Sequence, residues 1–105
     1  MFDPDTLYVS RHAQQRAKLT WPGIGVRGIR RMLAASFEID RRVAASLLGR
    51  RLEDVRDTYL MAPDLMGLFV LIPGDGRGPA MPTFLCFGVE QRRVAATLWP
   101  ERVAA

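Results

Sequence analysis

Cysteine, histidine and lysine are each nearly missing from this chain, with one of each in 105 residues. A single cysteine excludes an intramolecular disulfide, and the apolar run Phe84-Leu85-Cys86-Phe87 suits a buried structural thiol. One histidine and one cysteine cannot supply the ligand cluster that zinc requires. Asp3 and Asp5 sit near a terminus and form no carboxylate set, so a metal-dependent nuclease has no visible site. No apolar run approaches the roughly 20 residues that span a bilayer. The opening Met1-Phe2-Asp3-Pro4-Asp5 lacks the positive start and apolar stretch of a secretory signal. A soluble, cytoplasmic protein with no membrane partner is therefore expected. The glycines of Gly74-x-Gly76-x-Gly78 precede no helical pattern and make neither a Walker nor a dinucleotide loop, so no cofactor is expected. Internal repeats and low-complexity tracts are also missing.

Positive charge is what the chain has in excess. Fifteen basic residues face eleven acidic ones, for a formal net charge of +4, and every basic residue except Lys18 is arginine. Arginine's planar fork matches phosphate bidentately, which suits a nucleic-acid partner. A GC-rich genome is the simpler explanation for the choice of arginine over lysine, and the Ala-Ala pairs at 34–35, 44–45, 95–96 and 104–105 fit that explanation. The net charge is independent of it.

The order of patterns predicts one domain over residues 1–105. Ser10 reads as the N-cap of a helix over 11–19, with Ala13 and Ala17 inward. After the turn-rich joint Thr20-Trp21-Pro22-Gly23-Ile24-Gly25, Val26, Ile29, Leu33 and Phe37 follow helical spacing, with Arg27, Arg30 and Arg31 outward. A third helix is expected from the cap Asp40 through Val43, Leu47 and Leu48, ending at Gly49 or running on through Leu52 and Val55. Residues 57–61 and 68–72 read as a hairpin, and 83–89 and 94–99 as a second strand pair turning through Glu90-Gln91-Arg92-Arg93. Between the pairs lies a glycine- and proline-rich loop over 73–82. The expected fold class is α+β: two or three N-terminal helices packed on one face of a four-stranded, mainly antiparallel sheet.

His12 and Arg16 stand four residues apart, so they share one side of the first helix. Cleavage of RNA by its own 2′-hydroxyl needs a base, an acid for the leaving oxygen and positive charge over the phosphate. A neutral imidazole at a helix start accepts a proton, and the same helix end attracts phosphate. The rest of such a site must come from the sheet, where Tyr59, Glu90, Arg92, Arg93 and Thr97 are candidates. Arg11, Arg27, Arg30, Arg31 and Arg93 are candidate nucleic-acid contacts, joined by Arg41 and Arg42 if they share a surface. Each of these arginines equally fits a solvated helix or hairpin. Trp21 and Trp99 offer faces for base stacking, and core packing accounts for both as well.

His12-Ala13-Gln14-Gln15-Arg16 followed by Gly23-Ile24, with Val26, Ile29 and Leu33 at the spacing of a second helix, resembles small bacterial toxin-type ribonucleases of the barnase/EndoU/colicin/RelE-like fold. The chain departs from that pattern at Leu19-Thr20-Trp21-Pro22, where members carry a basic residue, and at Gly25, where they carry a Ser or Thr cap. The resemblance implies a metal-independent endoribonuclease or RNA-binding protein, with His12 as base or acid and Arg16 plus Arg92 or Arg93 on the phosphate. It also implies an acidic antitoxin or immunity partner. Two other readings stay open from the residues alone. One is a non-catalytic nucleic-acid-binding module using the same basic face. The other is a homodimeric interaction domain using its helices or the Leu65-Met66-Gly67-Leu68 hairpin.

Overall fold

Leu68-Phe69-Val70-Leu71 is apolar at every position, a composition that suits a strand with both faces buried. A computed structural model, which describes residues 3–72 and 80–103, gives this run that setting. In chain order the elements are β1 (Tyr8–Val9), α1 (Arg11–Thr20), α2 (Val26–Ala35), β2 (Phe37–Glu38) and α3 (Arg41–Leu48). A 3-10 turn (Leu52–Asp54) follows, then β3 (Thr58–Met61), β4 (Gly67–Ile72), β5 (Ala80–Cys86), α4 (Val89–Leu98) and α5 (Pro100–Val103). The fold is α+β.

The sheet has five strands in the order β1-β5-β4-β3-β2. β1 runs parallel to β5, and the remaining pairs are antiparallel. Alternate residues of the central strand feed two separate cores. Phe69 and Leu71 join Leu7, Ala13, Ala17, Ile29 and Leu33 on one face. Leu68 and Val70 join Ala44, Leu47, Tyr59 and Ala95 on the other. Helices α1 and α2 therefore cover one face, and α3 and α4 cover the opposite one.

This corrects three expectations. The helices do not share one face, because β4 is apolar on both. The sheet gains two short strands at its edges, β1 and β2. Ser36 ends α2 early by turning its backbone N–H and its hydroxyl back to the Leu33 carbonyl, which leaves Phe37 to pair with Met61. Finally, residues 94–99 are not a strand: Val89–Leu98 is helix α4. The Gln91 amide oxygen accepts the Gly88 N–H at 2.8 Å, and its amide nitrogen donates to the Leu47 carbonyl at 2.8 Å. One side chain thus caps α4 and ties it to the end of α3. The sequence Glu90-Gln91-Arg92-Arg93, expected as a hairpin turn, is the first part of that helix. Of the expected loop, 73–79 lies outside the described residues, while β5 begins at Ala80.

Other local signals act as the sequence predicts. Ser10 Oγ accepts the Ala13 N–H at 3.0 Å and starts α1. Asp40 Oδ1 accepts the Arg42 N–H at 2.7 Å and starts α3. Gly49, at φ 64°, closes α3 in the left-handed conformation. Among the described residues no helix is long and apolar enough to cross a membrane.

Candidate nucleic-acid interface

Helices α1 and α2 turn only a narrow side toward the sheet: Ala13 and Ala17 from the first, Ile29 and Leu33 from the second. Small alanines let α1 lie close to β5. Everything else is left to solvent or the rim, so Arg11, His12, Arg16 and Lys18 are exposed on α1, and Arg27 and Arg31 on α2. His12 and Arg16 stand one turn apart on the same exposed side, as their spacing predicts. Arg27 and Arg31 repeat that relation on the neighbouring helix.

Two further residues fix this layer to the sheet. Arg30, expected to point outward, is half-buried, and its Nη2 donates to the Leu7 carbonyl at 3.1 Å. Its Nε is buried with no acceptor among the described residues. Arg30 thus ties α2 to the segment before β1 and is removed from the expected phosphate contacts. Cys86 is half-buried, not fully buried: it accepts the Thr20 hydroxyl at 2.9 Å and donates to the Arg16 carbonyl at 3.5 Å. The tryptophans are also occupied. Trp21 lies 4.8 Å from the Phe84 ring and 6.0 Å from that of Phe69, and its indole N–H donates to Asp64 Oδ2 at 2.7 Å. Trp99 packs edge-on against Phe37 at 5.4 Å.

The expected catalytic set is not brought together. Tyr59 is 3% exposed and belongs to the core under α3 and α4, on the opposite face of the sheet from α1. Burial raises its pKa above the ordinary 10.0, aided by the nearby Asp57 carboxylate and opposed by the Arg50 guanidinium. A phenol held protonated in this way is a poor base. Arg92 and Arg93 stand exposed on α4, which packs on that second face too. Arg93 pairs with Glu90 at 3.4 Å, while Arg92 reaches the Met66 sulfur at 3.8 Å. Thr97 returns its hydroxyl to the Arg93 carbonyl at 3.0 Å, the ordinary use of a mid-helix threonine. Of the expected set, only Arg16 shares the exposed side that carries His12.

Charge segregation is the feature that reading residue by residue misses. From Thr6 to Phe37 the chain contains no aspartate or glutamate, yet it carries Arg11, Arg16, Lys18, Arg27, Arg30 and Arg31. Lys18 was no candidate on sequence grounds, although the acid-free run that contains it is plain to see there. The opposite layer is mixed: the ion pairs among the described residues, Arg51 with Glu53 and Asp54 and Arg93 with Glu90, all lie on that side. Asp64 approaches the joint between α1 and α2, but Trp21 and the Met66 N–H occupy its two oxygens. Among the described residues, the α1–α2 layer is thus a cationic surface with no ion pair of its own. No group of three or more potential metal ligands occurs among the described residues. Searches against protein-family models, curated proteins and solved structures found no match to this chain.

Proposed function

We propose that the chain binds single-stranded RNA across the α1–α2 layer. The observation that carries this reading is the acid-free pair of helices, with Arg11, Arg16, Lys18, Arg27 and Arg31 all exposed on one side of the sheet. Unpaired cations on one surface attract a phosphate backbone and release its counterions, so affinity falls steeply with salt. Arginine forks suit the phosphate oxygens.

A second, narrower reading rests on His12 and Arg16. Their shared exposed side would let the imidazole take the 2′-hydroxyl proton as that oxygen bonds to phosphorus and the bond from phosphorus to the 5′-oxygen breaks, giving a 2′,3′-cyclic phosphate. The leaving 5′-oxygen takes its proton from water or from the imidazolium, and the guanidinium holds the phosphate, without metal. This is the endoribonuclease that the resemblance to toxin-type ribonucleases implies, reduced to the residues that lie together. Tyr59, Arg92 and Arg93 are no part of it. An acidic antitoxin or immunity protein would occupy the same layer, and the cytoplasm is the compartment that suits such a protein.

Labelled single-stranded RNA incubated with the protein in a metal chelator, at low and high salt, tests both readings. Binding with a log–log salt slope of roughly −3.5, from about five phosphate contacts, is expected for the first. Fragments that disappear in His12→Ala, with binding retained, are expected for the second. Salt-independent retention or none at all would rule out the α1–α2 layer as an RNA surface.

A further inference from the structure

A separate groove of about 550 Å³ opens where α2, the β3–β4 turn and the α4–α5 segment meet. Its size falls within the range of small-ligand sites. The walls are Met32 from α2, Leu65 and Met66 from the turn, and Ala96 from α4, with Arg92 and Arg102 at the same opening. Arg92 and Ala96 are one helical turn apart, so they face the groove together.

The polar groups here are unequal in what they have left to offer. Asp64 also lines the groove, but the Trp21 indole at 2.7 Å and the Met66 N–H at 3.2 Å hold its two carboxylate oxygens. Arg92 has only the weak contact to the Met66 sulfur at 3.8 Å. Arg102 sits over the face of Phe37, its guanidinium carbon 4.3 Å from the centre of the ring. A cation held over a ring face in this way uses no N–H donor in a hydrogen bond to a carboxylate. Among the described residues neither arginine has a carboxylate partner. The groove therefore combines two available cations with an otherwise apolar, methionine-rich wall. Methionine adapts its shape to irregular apolar guests. Apart from the occupied Asp64, no lining side chain accepts hydrogen bonds strongly, so the side chains here offer a sugar's hydroxyls donors but no strong acceptors.

We propose that this groove is a binding site for a small amphipathic anion: an aliphatic or aromatic body against Met32, Leu65 and Met66, and a carboxylate or similar head between Arg92 and Arg102. The site is independent of the RNA surface and does not need that reading to hold.

The test uses the whole chain labelled with ¹³C at its methionine methyls, titrated with decanoate, decanol and decylammonium. The fully buried Met61 and Met81 serve as internal references for the fold. Decanoate is expected to shift the Met32 and Met66 methyls saturably, with decanol about fivefold weaker or more and decylammonium weaker still. Arg92→Gln combined with Arg102→Gln should reduce decanoate to the affinity of decanol while leaving Met61 and Met81 in place. Equal binding of decanoate and decanol by the unaltered protein would overturn the proposal, as would shifts spread over Met61 and Met81 or no shift at all. Should the double variant fail to fold, the decanoate-to-decanol ratio of the unaltered protein still decides.

Discussion

Gly67 shows how little room single positions leave in this sheet. A β-carbon there would collide with the Leu85 carbonyl oxygen and the Phe84 ring, because β4 and β5 approach closely at that end. Gly67→Ala should cost about 1–3 kcal/mol, read from the midpoint of chemical denaturation. Tyr59 makes a different prediction. Its pKa is raised by burial, so folded and unfolded chains both keep the proton below the ordinary value of 10.0, and its contribution to stability is intact there. Above that value the unfolded chain ionises first, and stability falls as pH rises through the folded value. Denaturation at a series of alkaline pH values should therefore show a smaller loss for Tyr59→Phe than for the parent. Equal losses would mean that the phenol ionises freely in the folded state. The fate of single residues was only partly readable from sequence. The exposure of His12 and Arg16 followed from helical spacing, whereas the inward turn of Arg30 depends on the Leu7 carbonyl, distant by 23 residues.

Among the elements, the caps were the most legible signals. Ser10, Asp40 and Gly49 act locally, and each sets a helix end where the sequence suggests it. Helix α4 was not legible, because Val94, Thr97 and Trp99 carry the β-branched and aromatic character of a strand. What makes them helical is the local Gln91 cap together with two tertiary contacts, the Gln91 amide on the Leu47 carbonyl and the docking of Ala95 against the second core. Gln91→Ala should accordingly cost about 1 kcal/mol, since it frees the Gly88 N–H and the Leu47 carbonyl together. Helical content followed through the same denaturation would check it. The edge strands β1 and β2 have two residues each, too short for any periodic pattern to register.

For the whole molecule, the decisive sequence feature was the continuous apolar character of β4. It implies that helices must cover both faces of the sheet. That implication separates α1 from α4 by the thickness of the sheet and dismantles the expected catalytic set. It also gives the molecule one cationic face and one mixed face. The central ring pair Phe69 and Phe84, 4.9 Å apart and fully buried, anchors the core beneath the cationic face. Phe69→Ala should lower stability by about 3–5 kcal/mol, enough to unfold a marginal domain of this size.

The most direct measurement compares two double charge reversals in an RNA-binding titration at low salt. Arg27→Glu with Arg31→Glu alters the acid-free layer, and Arg41→Glu with Arg93→Glu alters the opposite one; both lower the net charge of +4 by the same amount. The account predicts that the first pair abolishes binding while the second leaves it within about threefold of the parent, as expected for long-range charge alone. Equal losses from the two pairs, or a larger loss from the second, would contradict it.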